Sequence, residues 1–355
     1  MLAKKVQIDV YLCMKIQRLI IIFLLFSVRS VSAEDAELSR IWTPMGSFAS
    51  ITISPEEKGK LGECEYISKF TTASIEKYLS VFDHESDISA LNSNSGSFVA
   101  MHGCSMEVIG LSLKYAGMTE GAFDVTVGPL MKLWGFSGSR KAEKIPAEDE
   151  IINTMKSVGY KGIIISNNFV KLAKKGMSVD FGGIGKGYAV DKCYEAVRSI
   201  GATNFMVNIG GNVRVGGTAN GERQWKIGIK DPFEKGGIIG VVTLTNGMAI
   251  ATSGNYEKFL VIEGRQYPHI IDPRSGMPIQ GMAQTTVIAE NAVETDALST
   301  GTFVLGKEKW RTAIGKAKDC HVIYIPDEKP MRIYITPGTE KVFKPVDGVE
   351  VVILK

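Results

Sequence analysis

The sequence predicts an α+β fold, and three observations carry the prediction. Short apolar runs between turn residues crowd the second half of the chain. They follow one another instead of alternating strictly with helical segments, which argues against a doubly wound parallel sheet. The composition is that of a globular protein, 45% hydrophobic and 22% charged over 355 residues, without internal repeats or low-complexity tracts. One compact unit over residues 34–355 is therefore expected, with mixed or antiparallel sheets and flanking helices.

The first 33 residues read differently. "MKIQRLIIIFLLFSVRSVSA", Met14 to Ala33, has Lys15 and Arg18 at its start, an apolar core from Leu19 to Phe26 and small residues at its end. That is the layout of a secretory signal peptide, with Met14 as the start and cleavage after Ala33. The apolar run is short for a membrane span. An exported protein is expected, and association with the inner membrane is left open. Four cysteines follow (Cys64, Cys104, Cys193 and Cys320), with no CxxC pair that would suggest zinc. The net charge of +3 gives no reason to expect nucleic-acid binding.

In the first half, Met45–Ser54 alternates as a half-buried strand does. Cys64, Ile67, Ile75, Tyr78, Leu79 and Phe82 fall at helical spacing, and "MEVIGLSLKYAGMTEG" reads as a second helix. The charged segment Ser137–Glu150, with Pro146, reads as a mobile surface loop. Strands are expected at "GIIIS", "FMVNIGG", "WKIGIK", "GVVTLT", "AIATSG", "KFLVIEG", "HIIDP", "TTVIAE" and "HVIYIP". "AVETDALSTGTFVLG" and "KEKWRTAIGKAK" read as late helices.

Four blocks could carry chemistry. In "SVDFGGIGKGYAVD", Asp180, four glycines and Lys186 precede a helix on which Ala189, Cys193 and Val197 share a face. Free N–H groups at such an end suit an anion, and Gly183 lies in the turn. The stretch fits neither the dinucleotide fingerprint nor the NTPase loop, and alone it equally suits close strand–helix packing. "HIIDPRSGMP" offers His269, whose ordinary pKa suits a base, or else a loop-bonding histidine. "ETDALSTGTFVLG" places Asp296, Ser299 and Thr300 around one helical turn, hard oxygens of the kind Mg²⁺ takes, or an ordinary helix-start pattern. "GAFDVTVGPLMKLWGF" sets Asp124 and Thr126 among aromatics that could line a pocket for a flat ring.

Taken together, "FDHESDISALN", "GAFDVTVGPL", "DFGGIGKGYAVD", "NIGGNVRVGG", "HIIDPRSG" and "TDALSTGTFVLG" resemble, in order, the blocks of the ApbE family of FAD:protein FMN transferases. The resemblance runs from Met45 to about Gly306. It implies a single T-fold-like domain that uses Mg²⁺ to split FAD, joins FMN through its phosphate to a threonine of an acceptor protein and releases AMP. The implied acceptor is a subunit of a membrane redox complex, of the sodium-pumping quinone reductase or Rnf type, at the outer face of the membrane. Carried over by motif, Gly183 (through its carbonyl), Asp296, Ser299 and Thr300 form the metal site. Met45, Phe82, Ala122, Phe123, Asp124, Asp180, Lys186 and Ile271 contact FAD. His269 is the candidate base, because its ordinary pKa lies near working pH, with Asp296 its rival. FAD pyrophosphatase activity and non-enzymatic FAD binding are the alternatives, and homodimerisation is left open.

Overall fold

Period-two burial marks the strands of a large central sheet in the computed structural model, which describes residues 38–138, 144–315, 317 and 319–355. The predicted signal peptide lies outside the described residues. The sheet has nine strands. In spatial order they are β1 (Ser39–Trp42), β2 (Ala49–Ile53), β6 (Phe205–Ile209), β7 (Asn212–Gly216), β10 (Ala249–Gly254), β13 (Met282–Ala289), β14 (His321–Pro326), β15 (Arg332–Ile335) and β17 (Glu350–Ile353). Every neighbouring pair is antiparallel except β15 with β17. β13 is buried at all 8 positions, the polar Gln284, Thr285 and Thr286 included.

Each face of this sheet has its own cover. On one side lie α1 (Leu61–Leu79), α3 (Gly103–Met118), α6 (Gly185–Ser199) and α7 (Ala292–Leu305), whose apolar stripes meet Ile51, Val207 and Val287. On the other lies a second sheet, in the order β16 (Phe343–Pro345), β9 (Ile238–Leu244), β8 (Trp225–Lys230). Its Trp225, Val242 and Phe343 pack on Val213, Ile250 and Ile323. A third sheet, in the order β3 (Phe98–Ala100), β5 (Phe169–Leu172), β4 (Ile163–Ser166), follows α2 (Asp87–Ser93). A hairpin of β11 (Phe259–Ile262) and β12 (Arg265–Pro268) joins α4 (Gly128–Leu133) and α5 (Glu148–Met155) around Trp134, Tyr267 and Ile271.

Several sequence readings are corrected. Met45 to Phe48 is a turn, not strand, and Met45 has φ +52°. α1 stops at Leu79 because Ser80 is extended, so Phe82 leaves the helix and is 83% exposed. The segment read as a surface loop ends in α5, whose start is held by Glu150 accepting from the Ala147 N–H at 2.8 Å. "HIIDP" is no strand: Ile271 makes only an isolated bridge with Pro278. The last predicted helix is a short 3-10 turn followed by α8 (Trp310–Ile314). The four cysteines are free thiols, and Cys193 is buried in α6.

Candidate active site

The site is built where α6 and α7 cross near their N-termini. Asp296, one turn into α7, accepts the Gly187 N–H of α6 at 2.8 Å. In return Asp191, from α6, accepts the Ala292 and Val293 N–H groups that open α7, both at 2.8 Å. Each helix thus caps the other with a carboxylate, where an N-terminus favours negative charge. The crossing is close enough to require glycine. A methyl group at Gly187 would lie 2.2 Å from the Ala292 carbonyl oxygen and 2.7 Å from Asp296 Cβ. Asp191 is itself fixed by Arg214 Nη1 at 2.8 Å, and the Arg214 guanidinium stacks 4.1 Å from the Tyr194 ring centre.

This changes the reading of the glycine turn. The α6 N-terminus is not a row of free donors. Gly185 N–H donates to Phe181 O at 2.7 Å, Tyr188 N–H to Ile184 O at 3.0 Å, and Gly187 N–H to Asp296. Cationic character comes instead from Lys186. Its ammonium donates to Gly182 O at 2.9 Å and stands 3.7 Å from Asp296 Oδ1. Beside its stem are Ser47 and Gly210, in the turns before β2 and after β6: a methyl at Gly210 would lie 3.1 Å from Lys186 Cδ and 2.6 Å from Ser47 Oγ. The left-handed Met45 reaches the same place, with its Cε 3.6 Å from a methyl built on Gly185. A non-glycine residue in that conformation is strained by about 1 kcal/mol.

Of the residues predicted as metal ligands, Ser299 and Thr300 donate their hydroxyls to the Asp296 backbone carbonyl at 2.9 and 3.4 Å. Asp296 is 5% exposed, and the Ser299 and Thr300 hydroxyls follow it on α7. A methyl at Gly183 would stand 3.0 Å from Thr300 Oγ1 and 3.3 Å from Phe123 Cε2, so Gly183, Thr300 and Phe123 touch. Ser253, at the end of β10, completes the cluster, with its Oγ 2.9 Å from Ser299 Oγ and 3.5 Å from Thr300 Oγ1. Among the described residues no group of three or more His, Cys, Asp or Glu could hold a metal ion. The donor set is thus one carboxylate with hydroxyl and carbonyl oxygens. It fits a hard cation that keeps water or phosphate in its remaining positions, and not zinc.

His269 lies near enough to Lys186 to feel its charge. Its Nδ1 lies 3.0 Å from the Lys258 carbonyl. A carbonyl only accepts, so Nδ1 carries the proton and Nε2 is left as the acceptor. Burial, aided by Lys258 and Lys186, pulls its pKa down to about 4. The sequence reading of an ordinary histidine pKa is corrected accordingly. Phe136 meets the ring edge-on at 6.5 Å between centres.

The remaining predicted residues play varied parts. Ala122 and Phe123 are buried beside α7. Asp124 is turned into its own loop. It accepts from Thr126 N–H and Oγ1 at 2.8 and 2.7 Å and from Tyr160 N–H at 2.7 Å, while burial raises its pKa. Asp180 Oδ1 accepts the Gly182 N–H at 2.7 Å, shaping the glycine turn from within. Ile271 is 5% exposed among Trp134 and Tyr267, and Trp134 Nε1 donates to Gly276 O at 2.9 Å. Phe82 is not drawn into the α6–α7 cluster. Asp191, Arg214, Ser253, Ser47 and Asn92 are placed at or around the site but are not singled out by sequence. Asn92 holds both backbone groups of Val179, at 2.7 and 3.0 Å, and so sets the approach to Asp180.

Fold and site together define an α+β protein in which Lys186, Asp296 and the hydroxyls of Ser299, Thr300 and Ser253 cluster where two helices cross. The chain belongs to the ApbE family, whose sequence model matches residues 45–324. It is 34% identical over 269 residues to an FAD:protein FMN transferase of Haemophilus influenzae, covering 73% of this chain and 76% of that protein. With an FAD:protein FMN transferase of Vibrio cholerae it shares 32% identity over 249 residues, 70% of this chain and 74% of the other. Among solved structures it is similar to the ApbE protein of Thermotoga maritima, with TM-score 0.75, 30% identity and coverage of 87% and 96% of the two chains. The apo flavinyl transferase ApbE of Pseudomonas stutzeri gives TM-score 0.74 at 27% identity, over 86% and 96%.

Proposed function

We infer that the chain is an FAD:protein FMN transferase: it moves FMN from FAD to a threonine hydroxyl of an acceptor protein and releases AMP. One observation carries this reading. Asp296, Ser299, Thr300, Gly183 and Lys186 converge on one crossing of helices in a chain that is 34% identical to such a transferase.

Asp296, Thr300 and the Gly183 carbonyl, with Ser299 adjacent, would hold Mg²⁺, which supplies charge neutralisation to the pyrophosphate and the departing AMP. The chain's own groups do the rest. Lys186 binds a phosphate oxygen, its stem guided by Ser47 and Gly210. Gly183 and Phe123 wall the turn. His269 Nε2 takes the proton from the acceptor hydroxyl as that oxygen bonds to the FMN phosphorus. The phosphorus–oxygen bond to AMP breaks, and the electron pair leaves with AMP. Asp296 is the rival base, but its Oδ2 already accepts the Gly187 N–H.

The signal-like N-terminus supports an exported, periplasmic enzyme acting on a subunit of a membrane redox complex. Chromatography of FAD incubated with the mature chain and Mg²⁺ tests the reaction class. AMP is expected only when a threonine-bearing acceptor domain is present. Equal FMN and AMP release without acceptor would identify a pyrophosphatase instead, and intact FAD throughout would identify a binding protein.

A further inference from the structure

Helix α1 buries one face as its sequence demands, with Cys64, Ser68, Ile75 and Leu79 inward. Its opposite face carries two large rings among charged residues. Tyr66 is 71% exposed and Phe70 is 61% exposed, one turn apart. With Glu63, Ala73 and Lys77 they form a stripe at spacings of three and four residues, the seam spacing of paired helices. Two large aromatic rings in the middle of a solvent face mark an interaction surface.

We propose that this stripe is a self-association surface, on which a second copy of the chain packs with its α1 antiparallel and the two-fold axis at Phe70. An isologous contact demands self-complementarity: whatever a residue meets must meet it in return. The stripe meets that demand in charge. With the axis at Phe70, that ring faces Phe70 of the partner subunit. Tyr66 falls opposite Ser74 of the partner subunit, beside the small Ala73 of the partner subunit. Glu63 falls opposite Lys77 of the partner subunit, and symmetry makes each contact twice. A parallel pairing would instead set like on like, Lys77 against Lys77 and Glu63 against Glu63. Lys69, on the flank, is already held by Glu65 at 2.6 Å. A concavity of about 340 Å³ opens past Lys77, lined by Ala73, Glu76, Ser80 and Phe82. The same axis brings Gly59 and Gly62 of the partner subunit over it. A single-helix seam is smaller than the roughly 800 Å² per partner of standard complexes, so association is weak and concentration-dependent.

Cross-linking on the axis tests this directly. The four described thiols are buried or half-buried, so in a chain begun at Glu34 a new surface cysteine reports alone. Under mild oxidation Phe70→Cys should form a disulfide-linked dimer about tenfold faster than Glu195→Cys, which is 61% exposed on α6 but off the stripe. Sedimentation velocity of the mature chain should show a dimer fraction that rises with concentration. Glu63→Lys should abolish it, and Glu63→Lys with Lys77→Glu should restore it. Equal cross-linking rates, a monomer at every concentration or no rescue in the double variant each overturn the proposal. A monomer whose binding to phosphatidylglycerol vesicles is lost in Phe70→Ser would assign the stripe to a lipid surface instead.

Discussion

His269 is the residue whose chemistry depends most on its surroundings. At a pKa of about 4 it is neutral at working pH and presents a free Nε2. It is a weak base in that state, because basicity falls with pKa. Lys258 and Lys186 contribute to the depression, so a bound pyrophosphate, by countering their charge, should raise it. NMR titration of the imidazole is expected to give about 4 in the free protein and a clearly higher value with FAD bound. The same group predicts a stability profile. Between about 4 and 6.5 the unfolded chain takes up a proton that the folded chain refuses. Stability is therefore full above that window and falls as pH drops through it, by up to about 3 kcal/mol. His269→Gln should flatten that part of the curve in urea melts. It should also lower kcat by roughly 10²–10⁴ while FAD still binds. Asp296→Ala removes the carboxylate of the hard-oxygen cluster. Calorimetry should find Mg²⁺ binding lost, and unchanged Mg²⁺ affinity would contradict the ligand assignment.

The informative elements are α6 and α7, which cap each other. Gly187→Ala pushes a methyl into the Ala292 carbonyl, and the crossing must open. A loss of roughly 3 kcal/mol is expected in denaturant melts, with Mg²⁺ affinity falling as Asp296 moves. Asp191→Asn leaves Arg214 without its charge partner and should cost about as much, which thermal melts would register. Both helices are legible in sequence, because their apolar positions recur at 3–4 residue spacing. The capping is not, because Asp191 and Ala292 stand 101 residues apart and nothing local links them. Ser253 was missed for the same reason: only the sheet brings β10 beside α7. Phe82 shows the opposite failure. Its spacing continues the α1 pattern, yet extended backbone at Ser80 ends the helix before it.

The α+β architecture of the whole molecule follows from strand runs that adjoin one another, and the nine-stranded sheet bears this out. β3 and β16, of 3 residues each, carry too little alternation to be seen alone. β13 is buried on both faces, yet Gln284 and two threonines break its apolar pattern, so only its later part reads as a strand. Of the blocks that carry the family resemblance, "DFGGIGKGYAVD", "NIGGNVRVGG" and "TDALSTGTFVLG" meet around Lys186 and Asp296, and Phe123 of "GAFDVTVGPL" touches the glycine turn. The central claim is that this constellation transfers FMN to protein. Intact mass spectrometry of a threonine-bearing acceptor, incubated with the mature chain, FAD and Mg²⁺, tests it most directly. The account predicts one FMN phosphoester per acceptor, absent when the threonine is alanine and absent with Asp296→Ala. An unmodified acceptor, or modification that survives either substitution, would contradict it.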